Sequence, residues 1–175
     1  MDISKNYFEF IGLPVSFHID QSQLAERSRD LQKKLHPDRY AHLSDQEQRV
    51  AVQYMAYLNE GIATLKAPLS RAQYLLMLQG VDTISEGSTQ IDTMFLMQQM
   101  EMREKLEEAM DAEDPMDILD ELSEETTDLL KAFREDFSNA YDAQDYESAA
   151  TVVRKMQFLE KLILEVDRLE DKLDG

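Results

Sequence analysis

The chain has 175 residues, 43% hydrophobic and 31% charged, with a formal net charge of −18, which allows one or two small cores in a soluble, helix-rich protein. It contains no cysteine, which excludes disulfides, thiolate catalysis and cysteine-ligated zinc or iron–sulfur centres within the chain. Residues 1–80 hold nine Lys/Arg and nine Asp/Glu, whereas residues 81–175 hold nine and twenty-seven, so the acidic excess lies wholly in the second half and repels nucleic acid and anionic membranes. Met1 to Lys5 lack the basic start and apolar run of a secretory signal, and no apolar stretch approaches membrane-spanning length, so a cytoplasmic location is expected.

Five glycines, four prolines and little β-branched alternation predict an all-α protein. Residues 4–11 form a short first helix carrying Tyr7, Phe8, Phe10 and Ile11, closed by Gly12 and Pro14. Asp20, with Gln23 three residues on, resembles a capping box for a second helix running from Gln23 to Leu35. This helix turns Leu24, Ser28, Leu31 and Leu35 inward and carries Arg27, Arg29, Lys33 and Lys34.

His36-Pro37-Asp38 follows directly. Proline removes a backbone donor and pushes the residue before it out of the helical region, so the second helix ends near His36, and His36 and Asp38 stand on a rigid, solvent-facing corner. For an isolated tripeptide an ordinary proline-stopped helix end, with histidine favourable at the C-terminus and aspartate starting the next turn, is the preferred account. The basic helix leading into it and the aromatic segment upstream favour an interaction site.

A third helix from Asp45 to Leu65 offers Val50, Tyr54, Tyr57, Leu58, Ile62 and Leu65 to the same core, with Gly61 expected to cost about 1 kcal/mol relative to alanine. A fourth, from Leu69 to Gln79, stops at Gly80. Residues 81–91, with Ser85, Gly87, Ser88 and Thr89, break the periodicity and mark a domain junction between residues 1–80 and 92–175.

Three long helices follow, about Asp92 to Ala112, Met116 to Ala143 and Tyr146 to Leu173, and their short connections predict an antiparallel three-helix bundle. The middle helix supplies Leu119, Leu122, Leu129, Leu130, Phe133 and Phe137, and the last supplies Ala149, Val152, Met156, Leu159, Ile163 and Val166. In the first, Phe95, Met102, Leu106 and Ala109 make the core stripe, but Leu96, Met97 and Met100 fall well away from it, with Glu101 and Glu104 nearby. Phe158 lies off the stripe of the last helix. This second cluster is either buried against the first domain or exposed as a docking patch.

The aromatic first segment, the basic helix and His36-Pro37-Asp38 together resemble a J-domain, the module by which co-chaperones stimulate DnaK-type ATPases. The resemblance extends through Leu58-Asn59, Thr64-Leu65, Pro68, Arg71-Ala72, Tyr74-Leu75-Leu76, Asp92-Thr93 and Phe95-Leu96-Met97. With Thr151 to Leu159 and Leu169 to Leu173 added, nearly the whole chain resembles the HscB family, co-chaperones of iron–sulfur cluster assembly.

That resemblance implies no catalysis by the chain itself. It implies that His36, Pro37 and Asp38, with Arg27, Lys33 and Lys34 of the basic helix, contact the ATPase domain of an HscA-type chaperone. It further implies that Leu96, Met97, Met100, Glu101, Glu104 and Phe158 hold an IscU-type scaffold protein. No cofactor and no structural zinc are expected, since the cysteine-rich extension of some relatives is missing. Ile62 stands where the family often has an aromatic residue, and Met100 where leucine is common.

An enzyme using His36 and Asp38 as acid and base is disfavoured, because no nucleophile, phosphate-binding glycine loop or metal motif accompanies them and no pocket is expected at the corner. A generic J-protein serving other clients, or a purely helical adaptor, are the alternatives.

Overall fold

The computed structural model describes residues 3–84 and 92–175, and every described element is helical. Seven α-helices run in chain order: α1 Tyr7–Ile11, α2 Gln21–Lys34, α3 Asp45–Lys66, α4 Pro68–Leu78, α5 Thr93–Asp111, α6 Met116–Asp142 and α7 Tyr146–Asp174, with a 3₁₀ turn at Pro37–Arg39. The chain divides into two compact units, Met1–Leu78 and Gln79–Gly175. Most of the expected junction, residues 85–91, lies outside the described residues.

In the first unit the helix ends follow local chemistry. Asn6 caps α1 by accepting the Glu9 N–H, Asp20 caps α2 through the Ser22 and Gln23 amides, and Ser44 caps α3 through Glu47. Helix α4 begins one residue earlier than predicted because Pro68 suits a first turn, where its missing N–H costs nothing. Gly12 takes φ +90°, and a Cβ there would stand 2.9 Å from Arg27 Nη1. Arg27 of α2 thereby lies across the end of α1.

The core of this unit is Phe8, Ile11, Leu13, Phe17, Leu24, Leu35, Ala51, Leu58, Leu65, Ala72, Leu75 and Leu76. Val50, predicted to point inward, is exposed, and Ala51 is the buried residue at that level. The inward line at the start of α3 passes through the smaller side chain.

Gly61 also departs from expectation. It is buried on α3, and a Cβ there would meet the Tyr7 ring at 3.0 Å. The missing side chain is the space into which Tyr7 packs. Tyr7 in turn lies 4.8 Å from Tyr57 and 4.6 Å from Tyr74, and its backbone N–H donates to the Tyr74 hydroxyl at 2.9 Å. Arg71, named in the sequence only as part of a resemblance, is buried. It donates to the Phe17 and Leu65 carbonyls at 2.6 Å each, with its guanidinium 5.0 Å from the Phe17 ring centre.

The second unit is an up-down-up bundle. Phe95 meets Phe133 while Lys105, further along α5, pairs with Glu125, so α5 and α6 run antiparallel. Tyr141–Tyr146 and Arg134–Glu160 give the same sense to α6 and α7. Asp92–Lys155, Phe95–Phe158 and Arg103–Glu165 advance together, so α5 and α7 are parallel.

The buried line of α7 is Ala149, Val153, Met156, Leu159, Leu162 and Val166. Val152 and Ile163, both predicted core, are half-buried, and Val153 and Leu162 take the inner places. On α6, Leu129 is half-buried and Thr126 is fully buried, its hydroxyl donating to the Leu122 carbonyl at 2.9 Å. A buried hydroxyl is thus accommodated beside apolar neighbours by bonding back to its own helix.

Candidate functional site

Two surfaces collect the residues singled out by sequence, one on each unit. The first is built on the end of α2. Leu35 is buried and anchors the last turn, and the chain then leaves the helix, as Pro37 requires. His36 adopts φ −58°, ψ 132° and caps the 3₁₀ turn, its Nδ1 accepting the Asp38 N–H at 3.2 Å. In the neutral ring this bond assigns the proton to Nε2.

The corner is braced on both sides. The Tyr40 hydroxyl donates to the Lys34 carbonyl at 3.2 Å, and Gln48 of α3 donates from Nε2 to the Ala41 and Leu43 carbonyls at 3.1 Å. Asp38 Oδ2 lies 3.6 Å from His36 Nδ1, yet the Asp38 side chain remains 92% exposed. The fold fixes its position and leaves its carboxylate to solvent.

Contrary to expectation, the corner does have a pocket. Pro37 and Asp38 border a cavity of about 710 Å³ whose walls include Leu35, Tyr40, Ala51, Val52 and Met55. It arises because Ala51 and Ala56 leave a shallow face on α3 below the loop. Besides Asp38 its lining holds one further titratable side chain, Tyr40, whose hydroxyl donates to the Lys34 carbonyl.

The basic residues of α2 are all exposed, but they do not form a single face. At about 100° per residue, Arg27 and Lys34 share one row and Arg29 and Lys33 another, with Glu26 and Asp30 between the two. Only the Arg27–Lys34 row borders the buried side of the helix. Sequence spacing contained this split, which the acidic residues between the cations signal.

The second surface is the outward side of α5, together with α7. Leu96 is 50%, Met97 58% and Met100 59% exposed, so burial does not account for their place on the helix. Going round α5 at about 100° per residue, Arg103, Leu96, Met100, Glu104, Met97 and Glu101 follow one another on the side away from Phe95, Met102, Leu106 and Ala109.

Phe158 joins this surface from α7. Its ring stands edge-on to Phe95 with centroids 5.8 Å apart, and Arg103 lies over it at 5.5 Å. Arg103 is itself held by an ion pair with Glu165. Met100, Glu104 and Phe158, with Gln99, Arg103 and Glu107, line a shallow depression of about 350 Å³. Leu96, Met97 and Glu101 lie outside that depression and extend the surface round the helix. Nothing in the sequence singles out Arg103 or Glu107, and Glu165 stands out there only by sharing a helical row with Phe158. An isolated charged residue on a charged helix carries no signal until the cross-helix partner is known.

The N-terminus of α5 is fastened to α7 at the same end. Asp92 caps the helix by accepting the Phe95 N–H at 2.7 Å and pairs with Lys155 at 2.7 Å. The hydrogen bond from Lys155, followed by that from the Phe95 amide, holds its carboxyl below the usual aspartate range. Lys155 Nζ lies 5.4 Å from the Phe95 ring centre and 5.7 Å from that of Phe133. Among the described residues no group of three or more His, Cys, Asp or Glu is placed to hold a metal ion, and no helix is long and apolar enough to cross a membrane.

Comparison with known proteins agrees over almost the full length. Residues 91–167 match the family model described as the HSCB C-terminal oligomerisation domain. A co-chaperone protein HscB homolog of Shewanella woodyi is 42% identical over 171 residues, covering 96% of this chain and 98% of that one. The structure of the chaperone HscB from Vibrio cholerae superposes with a TM-score of 0.85 at 40% identity, covering 97% and 99% of the two chains. That of the human co-chaperone protein HscB does so with 0.87 at 29% identity, covering 97% and 84%. The N-terminal J-domain and C-terminal helical bundle implied by the resemblance are therefore the fold of this chain, and it belongs to the HscB family of co-chaperones.

Proposed function

We propose that this protein is a cytoplasmic co-chaperone of iron–sulfur cluster assembly, which stimulates the ATPase of an HscA-type, DnaK-like chaperone and delivers an IscU-type scaffold protein to it. The observation that carries the reading is Asp38: a carboxylate on a braced corner, 92% exposed, with the His36 ring nitrogen 3.6 Å away. Such a group is preorganised to accept a charge-assisted hydrogen bond from a partner arginine. Arg27, Lys33 and Lys34 are exposed cations that can steer the encounter with an acidic ATPase surface, while His36 and Pro37 set the corner.

The outward surface of α5 supports the second half of the reading. An exposed apolar cluster of Leu96, Met97 and Met100, bordered by Glu101, Glu104 and half-buried Phe158, has the composition of a docking patch with a polar rim. Holding scaffold and chaperone on one chain raises their effective concentration for each other. ATP hydrolysis, and with it stabilisation of the chaperone–scaffold complex and cluster transfer, stays with the partners.

The test is the steady-state ATPase rate of an HscA-type chaperone with this protein, with and without the scaffold. Wild type is expected to stimulate, and the scaffold to enhance that stimulation synergistically. Asp38→Asn is expected to abolish it while the melting curve and scaffold affinity are unchanged; normal stimulation by the folded variant removes the role given to Asp38. Alanine at Leu96, Met97 and Phe158 together is expected to weaken scaffold binding in calorimetry by tenfold or more, about 1.4 kcal/mol or above. Stimulation without scaffold synergy points instead to a generic J-protein with other clients.

A further inference from the structure

Five of the ten methionines fall on α5, and they divide sharply by environment. Met94, Met97, Met100 and Met110 are 74%, 58%, 59% and 65% exposed, with Met97 and Met100 inside the apolar cluster of the outward surface, whereas Met102 on the same helix and Met156 on α7 are 1% and 0% exposed. The chain has no cysteine, so thioethers are its only sulfur, and no thiolate competes with them for an oxidant. Leucine of similar volume at Met97 and Met100 would give the same apolar surface without that reactivity.

We propose that Met97 and Met100 are a reversible oxidation site, and that their conversion to methionine sulfoxide switches off docking on the outward surface of α5. The inference rests on the scaffold-docking reading above. The oxidant is a peroxide: the thioether sulfur attacks its distal oxygen, the O–O bond breaks as the S–O bond forms, and sulfur loses two electrons. The proton passes to the departing oxygen, which leaves as water or an alcohol.

The product is a strong hydrogen-bond acceptor where an apolar group stood. One turn on from Met97 and Met100 lie Glu101 and Glu104, whose ionised carboxylates are acceptors only, and Arg103 is already engaged by Glu165 and the Phe158 ring. A sulfoxide buried by a partner at this place stands among carboxylates that cannot donate to it, with the Gln99 amide the donor that shares the depression of Met100, and a sulfoxide oxygen left unpaired there opposes binding through its desolvation. Met102 and Met156 stay reduced because the core excludes the oxidant, so the fold survives the modification.

The experiment treats the full-length protein with graded hydrogen peroxide, maps each methionine by peptide mass spectrometry and measures affinity for a purified IscU-type scaffold by calorimetry. Met97 and Met100 are expected to oxidise well before Met102 and Met156. Affinity is expected to fall about tenfold or more once both are sulfoxides, and to return after treatment with methionine sulfoxide reductases. In Met97→Leu/Met100→Leu, affinity before and after peroxide is expected to be the same, whatever its starting value. Full oxidation of both residues with unchanged affinity overturns the switch, provided that the Leu96, Met97 and Phe158 alanine variant binds weakly. If that variant also binds normally, the docking reading fails and the switch falls with it. Oxidation of Met97 and Met100 no faster than of Met102 overturns the site itself.

Discussion

Gly61 decides how α1 joins the first unit. In an exposed helix, alanine in place of glycine gains about 1 kcal/mol from backbone propensity. Here a Cβ would press on Tyr7, a ring confined between Tyr57 and Tyr74 and fastened through its backbone to the Tyr74 hydroxyl. Overpacking of this kind costs about 1–3 kcal/mol, which outweighs the propensity gain. Gly61→Ala is therefore expected to lower the melting temperature of the first unit. In a Tyr7→Ala background, where the ring is gone, the same substitution is expected to stabilise; stabilisation in the wild-type background would show that Tyr7 yields.

Among the three helices of the bundle, α5 buries the fewest side chains, Phe95, Met102, Leu106 and Ala109, and its ends and cross-helix pairs add to that hold. Asp92 caps it and binds Lys155, whose hydrogen bond is the first cause of the depressed aspartate pKa. A carboxyl depressed in the folded state contributes stability that is fully present above its unfolded pKa of about 3.9 and is lost as pH falls through its lower folded value. Asp92→Asn keeps a competent cap but removes the charge. It is expected to lower the melting temperature of the bundle at pH 7, with the gap to wild type closing as melts are repeated towards pH 3. A gap independent of pH would assign the effect to capping alone.

At the scale of the whole molecule the charge distribution governs stability in a second sense. Twenty-seven acidic and nine basic side chains share residues 81–175, and the strain shows at the end of α7. Burial first, then Asp167, Asp120, Asp174 and Asp171, raises the pKa of Glu170. A carboxyl raised on folding opposes stability when ionised and is relieved as pH falls through its folded value, the reverse of Asp92. Glu170→Gln is expected to raise the melting temperature at neutral pH and low salt, and the gain to shrink as salt screens the neighbouring carboxylates. An equal gain at all ionic strengths would point to packing instead.

Spacing along the chain already carried the seven α-helices of the described residues, the corner at His36-Pro37-Asp38, the odd placement of Leu96, Met97 and Met100, and the family resemblance. Each of these depends on neighbours along the chain: proline acts on the residue before it, and helical spacing sorts residues on a fixed 3.6-residue period. Only the tertiary structure decided that Val50, Val152 and Ile163 stand aside for Ala51, Val153 and Leu162, because the inward line depends on where the facing helix passes. It likewise turned Gly61 from a local weakness into the seat of Tyr7, opened a cavity beside Asp38, and joined Arg103 to Phe158 and Glu165. Those outcomes depend on side chains separated by 54 residues or more in the first case and 55 and 62 in the last, and periodicity along a single helix carries no information about which distant residue will face it.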